Sequence, residues 1–469
     1  MRITCFNDSR RAPRVAARIA GGVAAGLALW LSWGTPAQAQ TSDDMRQILE
    51  RLNRLEEQNR ALAAEVRELR NELAATRAPE PAAAPTTEER LDVQDSRIAE
   101  QAQSKVEASQ RFPIRITGMA LFNSYFNSKG SGGGEYPTFA SPGREGSGGA
   151  TLRQTILGLE YSGPRTFWNG SLHGSLRMDF FGGTGRVLDQ TVRLRTAAIG
   201  IDWKDRSLLA GIEKPIISPR DPSSLAQVGV SPLTGAGNLW LWIPQVRFQQ
   251  DFRFSEQAGI RAQVGVVQTR EATPDVASSY GTPTSYATQP EPARPGIEAR
   301  AEFFGGSERR IEIAPGVHHS ISHVGGASVP SNVFTLDWLV RPWKPVEFTG
   351  MIFAGQNASP LGTGGAGPGL VLLGPGLVQP VRIRGGWAQL AYQATQRLSF
   401  HFFSGQQDNR NSDLQPGRIG KNLAYGANFF YKLAPNVLAS FEVSQFRTSY
   451  IGAGTVLNNH YDLSLAYLF

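Results

Sequence analysis

From Phe112 to Phe469 no apolar stretch reaches the roughly 20 residues a membrane-spanning helix needs, yet apolar and polar residues alternate there in segments of about ten. A period of two is that of a β-strand, whose side chains point to opposite faces in turn. Trp168 to Phe180 sets Trp168, Leu172, Leu176, Met178 and Phe180 on one face, with Asn169, Ser171, His173, Ser175, Arg177 and Asp179 on the other. In Pro244 to Phe254, Val246, Phe248, Phe252 and Phe254 oppose Gln245, Arg247, Gln249, Asp251 and Arg253. Ile297 to Phe303 opposes Ile297, Ala299, Ala301 and Phe303 to Glu298, Arg300 and Glu302. In a soluble sandwich the apolar face would be the core. In a membrane barrel it faces lipid, and the charged face lines a wet lumen. The several charges kept on one face of many strands favour the barrel.

Sixteen such strands can be placed, starting near Ile114, Leu152, Phe167, Val192, Leu208, Val246, Gly259, Gly296, Ile311, Val333, Val346, Val381, Leu398, Leu423, Val437 and Tyr461. An even count brings both ends of a barrel to one side of the membrane. Connections alternate in length. Short turns are expected at 162–165, 204–206, 255–257, 306–308, 342–345, 395–396 and 434–436, and long Gly/Pro/Ser loops at 128–150, 272–295 and 358–380. Trp168, Trp203, Trp338 and Trp343 fall beside the short turns, where an interfacial girdle belongs. The chain ends with Tyr461, Leu463, Leu465, Tyr467 and Phe469 on one face. A last strand closing on an aromatic residue resembles the signal read by the outer-membrane assembly machinery, here Tyr467 and Phe469.

Residues 1–39 have the layout of a secretory signal: Arg2, Arg10, Arg11, Arg14 and Arg18, an apolar run from Ile19 to Trp33, and small residues at Ala37 and Ala39. An anchor helix is the other reading, but Gly21, Gly22 and Gly26 interrupt the run. Cleavage after Ala39 would remove Cys5, the only cysteine, and lower the net charge from +7 to +3. A nucleic-acid partner loses its support with that charge.

Residues 40–77 form a heptad seam. Met45, Ile48, Leu52, Leu55, Asn59, Leu62, Val66, Leu69 and Leu73 follow at alternating steps of three and four, flanked by charges. The seam predicts a self-associating coiled coil, with Asn59 setting register; a lone amphipathic helix is the alternative. Leucine at both seam positions leaves two and three strands open. Residues 78–111 read as a Pro/Ala spacer and a short helix, and 112–469 as an all-β transmembrane barrel.

Pro215 to Leu241 is long and carries Ile216, Ile217, Leu225, Val228, Val230, Leu233 and Leu239, too apolar for a solvated outer loop. It is expected to fold inward as a constriction, with Arg220 and Asp221 near its start. A contact with a neighbouring subunit's rim is the alternative. The barrel segment holds 31 basic and 24 acidic residues, and 25 of the basic ones are arginine. Arg177, Arg193, Arg195, Arg220, Arg247, Arg253, Arg261 and Arg300 are the pore-lining candidates for anion binding, with Arg382 and Arg384 near a strand's outer end. Guanidinium forks suit carboxylate or phosphate, and arginine rings favour anions in a pore. Alternatively, Asp179, Asp251, Glu298, Glu302, Glu312 and Glu442 on the same wall pair with them and brace the lumen.

His173, His318, His319, His323, His401 and His460 are dispersed, and no nucleophile–base set, phosphate loop or metal spacing is present. No catalysis, cofactor or metal is expected.

The layout resembles the DcaP-like branch of the porin superfamily, related to phosphate-selective porins. Arg193-Leu-Arg-Thr-Ala-Ala-Ile-Gly-Ile-Asp-Trp203, Pro215-Ile-Ile-Ser-Pro219 and Pro244-Gln-Val-Arg247 carry the local resemblance. It implies a trimeric sixteen-stranded outer-membrane barrel with a periplasmic coiled coil. It also implies passage of phosphate or dicarboxylates past arginines, a role Arg193, Arg195 and Arg247 fit by position. Lys214 is the only lysine near the expected constriction, which points to small organic anions rather than phosphate. A different reading makes the barrel an anchor and the coiled coil a tether to peptidoglycan.

Overall fold

A computed structural model describes residues 113–469, apart from 132–133, 183–189, 271–273, 277–294 and positions 325, 364 and 375. The expected signal peptide, coiled-coil seam and linker lie outside the described residues.

The strands run β1 (Ile114–Ser131), β2 (Ala140–Thr151), β3 (Ile156–Arg165), β4 (Ser171–Gly182), β5 (Thr191–Asp202), β6 (Arg206–Glu213) and β7 (Ile243–Arg253). They continue with β8 (Gly259–Val267), β9 (Pro274–Val276), β10 (Gly296–Gly305), β11 (Ile311–Val324), β12 (Ala327–Trp343) and β13 (Val346–Gln356). The last are β14 (Leu370–Gly374), β15 (Leu377–Pro380), β16 (Arg382–Gln393), β17 (Leu398–Asn409), β18 (Ile419–Ala434), β19 (Val437–Tyr450) and β20 (Gly454–Leu468). Each barrel strand pairs antiparallel with the next, and β1 pairs with β20 from Met119↔Leu468 to Asn127↔His460, so the sheet closes. β2 and β3 share one place in the ring: β3 pairs with the first half of β1 and β2 with the second. The ring therefore has sixteen strands.

The wall is inside-out relative to a soluble protein. Ile116, Ile199 and Phe334 are 67%, 64% and 65% exposed on its outer face, whereas Asp337, Glu442 and Asn123 are at most 1% exposed within. Closure satisfies the backbone and the outer face is apolar, the two requirements for a sheet standing in lipid. The C-terminal residue is part of the closure. Gly118 N donates to Phe469 O at 2.9 Å, and Phe469 N returns to Gly118 O at 3.2 Å.

All sixteen expected strands are present, with four local differences. The expected loop 128–150 is largely the outer arm of a β1–β2 hairpin. The loops that follow β8 and β13 contribute a small sheet, in which β14 pairs with β15 and, in parallel, with β9. Residues 162–165 are not a turn. They stay in β3 through a register shift between Ser162 and Arg165, where Pro164 is tolerated because a bulge asks no ladder hydrogen bond of it. The turn is Phe167–Asn169 instead, with Trp168 and Asn169 at φ 53° and 59°. Trp168 thus sits at a turn tip rather than on a strand, 82% exposed and beside Phe167 and Trp203. The girdle position survives, carried by the turn.

The hydrophobic core lies inside the barrel. Residues 214–242, the third outer loop, fold inward, and Ile217, Leu233, Ala236 and Leu239 pack against Val333, Met351, Phe353, Trp387, Phe403 and Phe446 of the wall. Leu225 and Val228 pack against Met119, Leu121, Leu438 and Ala466. On its return limb Gly237, at φ +102°, lies so close to β16 that a Cβ would collide with the Gly386 carbonyl.

Gly237→Ala combines a disfavoured φ with a backbone collision, and strain of this kind is worth about 1–3 kcal/mol. The unfolding temperature, read by heat-dependent mobility on a gel, should fall; an unchanged value would show that the return limb does not press on the wall. At the outer end of β16, Asp413 accepts from the Arg382 amide at 3.1 Å, Nε at 2.8 Å and Nη2 at 2.6 Å. The Arg382 hydrogen bond outweighs burial and holds the Asp413 carboxyl below the usual range. A depressed carboxylate stabilises the clamp above about pH 4 and loses that contribution as the pH falls through its folded value. The protection of the Arg382 amide relative to its intrinsic exchange rate should fall on acidification, and Asp413→Asn should remove that pH-dependent loss.

Candidate functional site

The third loop makes a circuit of the lumen wall, held at successive strands by polar side chains. Ile216 N donates to Glu298 of β10 at 2.6 Å, and Thr335 of β12 donates to Ile217 O at 3.2 Å. Ser223 N donates to Gln389 of β16 at 2.6 Å, and its carbonyl accepts from Asn428 of β18 at 2.8 Å. Ser224 Oγ donates to Glu442 of β19 at 2.6 Å, and Asn123 of β1 donates to Leu225 O at 2.8 Å. Gln154, in the break between β2 and β3, donates to Ala226 O at 2.7 Å and accepts from Val228 N and Gly229 N at 2.7 and 2.8 Å. An irregular backbone buried in this way needs such partners at every step.

Two other loops brace it. Gln227 Nε2 donates to Pro137 O of the first outer loop at 3.1 Å. Trp240 N donates to Gly362 O of the loop after β13 at 3.3 Å.

Charge in the lumen divides into two groups. In one, Arg300 donates to Asp337 at 2.7 and 2.8 Å and pairs with Glu302 at 2.8 Å. Arg220 of the loop joins the same Asp337 and Glu312. Arg309 lies near Glu302 and Glu312, and Arg261 is bidentate with Asp251 at 2.7 and 2.8 Å. Among the described residues four guanidiniums are thus fastened to four carboxylates, and Glu298 beside them is bonded to Ile216 N and His318.

The other group of charges gathers around Asp179. Asp179 is fully buried and takes Arg193 Nε and Nη2 at 3.0 and 2.6 Å and Arg195 Nη1 at 2.8 Å. Two arginines can share one carboxylate because of a β-bulge. Arg177 pairs with Thr196 and Met178 with Leu194, which leaves Arg195 unopposed and turned inward. Their remaining donors hold the loop at Gly229 O and Val228 O, and both stack on Trp242 at 5.0 and 4.5 Å. Lys214 pairs with Asp221 across the base of the loop. Arg247 of β7 makes no hydrogen bond or ion pair among the described residues, and Glu213, Glu298, Arg261 and Arg300 act on it only through space. Among the described residues Arg193, Arg195, Lys214 and Arg247 thus gather with Asp179, Asp221 and Glu213, and Arg247 alone of these cations has no carboxylate in contact.

The closed sixteen-stranded ring with an inward third loop decides the architecture. It is the porin fold. DcaP, the outer-membrane channel of Acinetobacter baumannii, superposes with a TM-score of 0.62 at 15% identity, over 76% of this chain and 97% of that one. An anion-selective porin from Comamonas acidovorans gives 0.52 at 10% identity, over 76% and 99%. No family model matches the sequence, and no curated protein matches it significantly.

Within the porin fold the candidate arginines separate. Arg193 and Arg195 share Asp179, Arg220 and Arg300 share Asp337, Arg261 is held by Asp251, and Arg247 has no carboxylate in contact. Arg177 stands apart, 3.4 Å from Glu160, which also takes Arg115. Arg253 lies at the mouth on the side of the short turns, 3.1 Å from Asp205. The sequence reading did not single out Gln154, Asn123, Asn428 or Trp242, nor the buried Arg153–Glu135 pair at 2.5 Å. Trp242 alone left a signal: with Trp240 it ends the apolar loop. The others are single polar residues whose partners are distant in sequence.

Asp179→Asn would leave two guanidiniums without their carboxylate, and breaking a buried pair costs about 3–5 kcal/mol. We expect lower thermal stability together with a shift of the reversal potential toward chloride. An unshifted potential in a folded variant would mean that these guanidiniums do not face the permeation path.

Proposed function

We propose that this chain is an outer-membrane porin, a passive diffusion channel for small hydrophilic solutes that prefers anions such as organic carboxylates. The observation that carries the anion preference is Arg247. It is a lumen-wall guanidinium with no carboxylate bound to it among the described residues, whereas Arg261 and Arg300 on the neighbouring strands are each fastened to a carboxylate. An unspent guanidinium fork on a half-exposed wall can take a passing carboxylate, and a positive field raises local anion concentration. Arg193 and Arg195 add field more than bonds, since their donors are spent on Asp179, the loop and Trp242.

The remaining parts of the proposal rest on the sequence. The chain is exported through residues 1–39 and assembles as a homo-oligomer, a trimer in this reading, with the seam of residues 40–77 in the periplasm. Tyr467 and Phe469, stacked at 6.2 Å on the closing strand, present the assembly signal.

The test is block of the chloride current by succinate across a planar bilayer. The wild type should show concentration-dependent block, and Arg247→Gln should raise the half-blocking concentration about tenfold, the worth of one hydrogen bond to a charged group. Equal block in both proteins would remove Arg247 from the solute path. No conductance from a folded barrel would remove the channel reading.

A further inference from the structure

On the outer face of the barrel, basic residues gather on one arc at the end opposite the short turns. On β18, Lys421, Leu423 and Tyr425 share a face, and the intervening Asn422 and Ala424 are buried. On β19, Arg447 shares the exposed face of Phe441 and Val443, while Glu442, Phe446 and Thr448 are buried. Leu423 lies opposite Arg447 and Lys421 opposite Ser449, so Lys421 and Arg447 are diagonal neighbours within reach of one ligand. Neither has a hydrogen bond or ion pair among the described residues. Two strands away, Arg384 and Arg382 point outward, held at Asp408 and Asp413.

This arc sums to four cations against two carboxylates. At the same height on β11 and β12 the outward pair holds no lysine or arginine, with His319 hydrogen-bonded to Asn332 at 2.7 Å. Below the cations the wall turns apolar and aromatic, with Tyr425, Phe402, Phe441 and Val443 exposed. A ligand for this surface carries phosphate at the level of Lys421 and Arg447 and acyl chains along the wall beneath. Resting on the outer-membrane reading, we propose that this arc of β16–β19 is a binding site for a phosphorylated glycolipid of the outer leaflet. Lys421 and Arg447 take its phosphate, and Arg384 flanks it.

The test purifies the full chain in mild detergent from Gram-negative membranes and measures phosphorylated glycolipid retained per chain by native mass spectrometry. Lys421→Gln/Arg447→Gln should lower retention at least about tenfold, since each surface cation contributes appreciably to anionic-lipid binding. Lys421→Arg/Arg447→Lys should restore it. Added monophosphoryl lipid A should bind the wild type more weakly than the diphosphoryl form. Equal retention in wild type and the Gln variant would overturn the proposal. So would a Gln variant that changes oligomeric state while keeping its lipid, which would make the arc a contact between subunits. Chloride conductance recorded in parallel separates this outcome from a failure of the channel reading.

Discussion

The structure depends on satisfying the backbone of one irregular segment inside a barrel. Residues 214–242 have no regular partner of their own, so the wall supplies one at nearly every step: Glu298, Thr335, Gln389, Asn428, Glu442, Asn123 and Gln154 each hold a loop backbone group or a loop side chain. Buried polar wall residues are costly alone and become affordable because the loop completes them. The loop's apolar side chains then fill the interior between those contacts, which is why a protein with an apolar outer surface also has a hydrophobic core.

The same anchoring governs the lumen's electrostatics. Most arginines read from the sequence as pore-lining are fastened to carboxylates or loop carbonyls, so their number says little about the field. What remains is a local difference: Arg247 makes no ion pair among the described residues, whereas Arg220, Arg261 and Arg300 are each fastened to carboxylates. The bulge at Arg195 lets one buried Asp179 serve two guanidiniums. A bulge that re-aims a side chain is a small change in chain path with a large change in local charge.

Strand positions were legible because a period of two is enforced by an apolar outer face and a polar inner one, and a one-residue slip would exchange every side chain between them. The inward loop was legible for a related reason: Ile216, Ile217, Leu225 and Leu239 have no place in a solvated loop. The anchors were not legible. Gln154 and Asn123 are ordinary polar residues in sequence, and their partners are backbone atoms 72 to 102 residues away. Likewise, no composition signal separates Arg247 from Arg300. Only the carboxylates that the register places beside each tell them apart. The small sheet of β9, β14 and β15 escaped notice because short runs such as Leu370 to Leu372 sit among glycines and pair only between loops.

The proposed anion preference requires a positive field along the solute path around Arg247. The most direct measurement is the reversal potential of the reconstituted full-length protein in a KCl gradient. A potential on the chloride side, moving toward zero in Arg247→Gln, is the predicted result. A potential on the potassium side would contradict it, and would mean that the wall carboxylates more than neutralise the arginines.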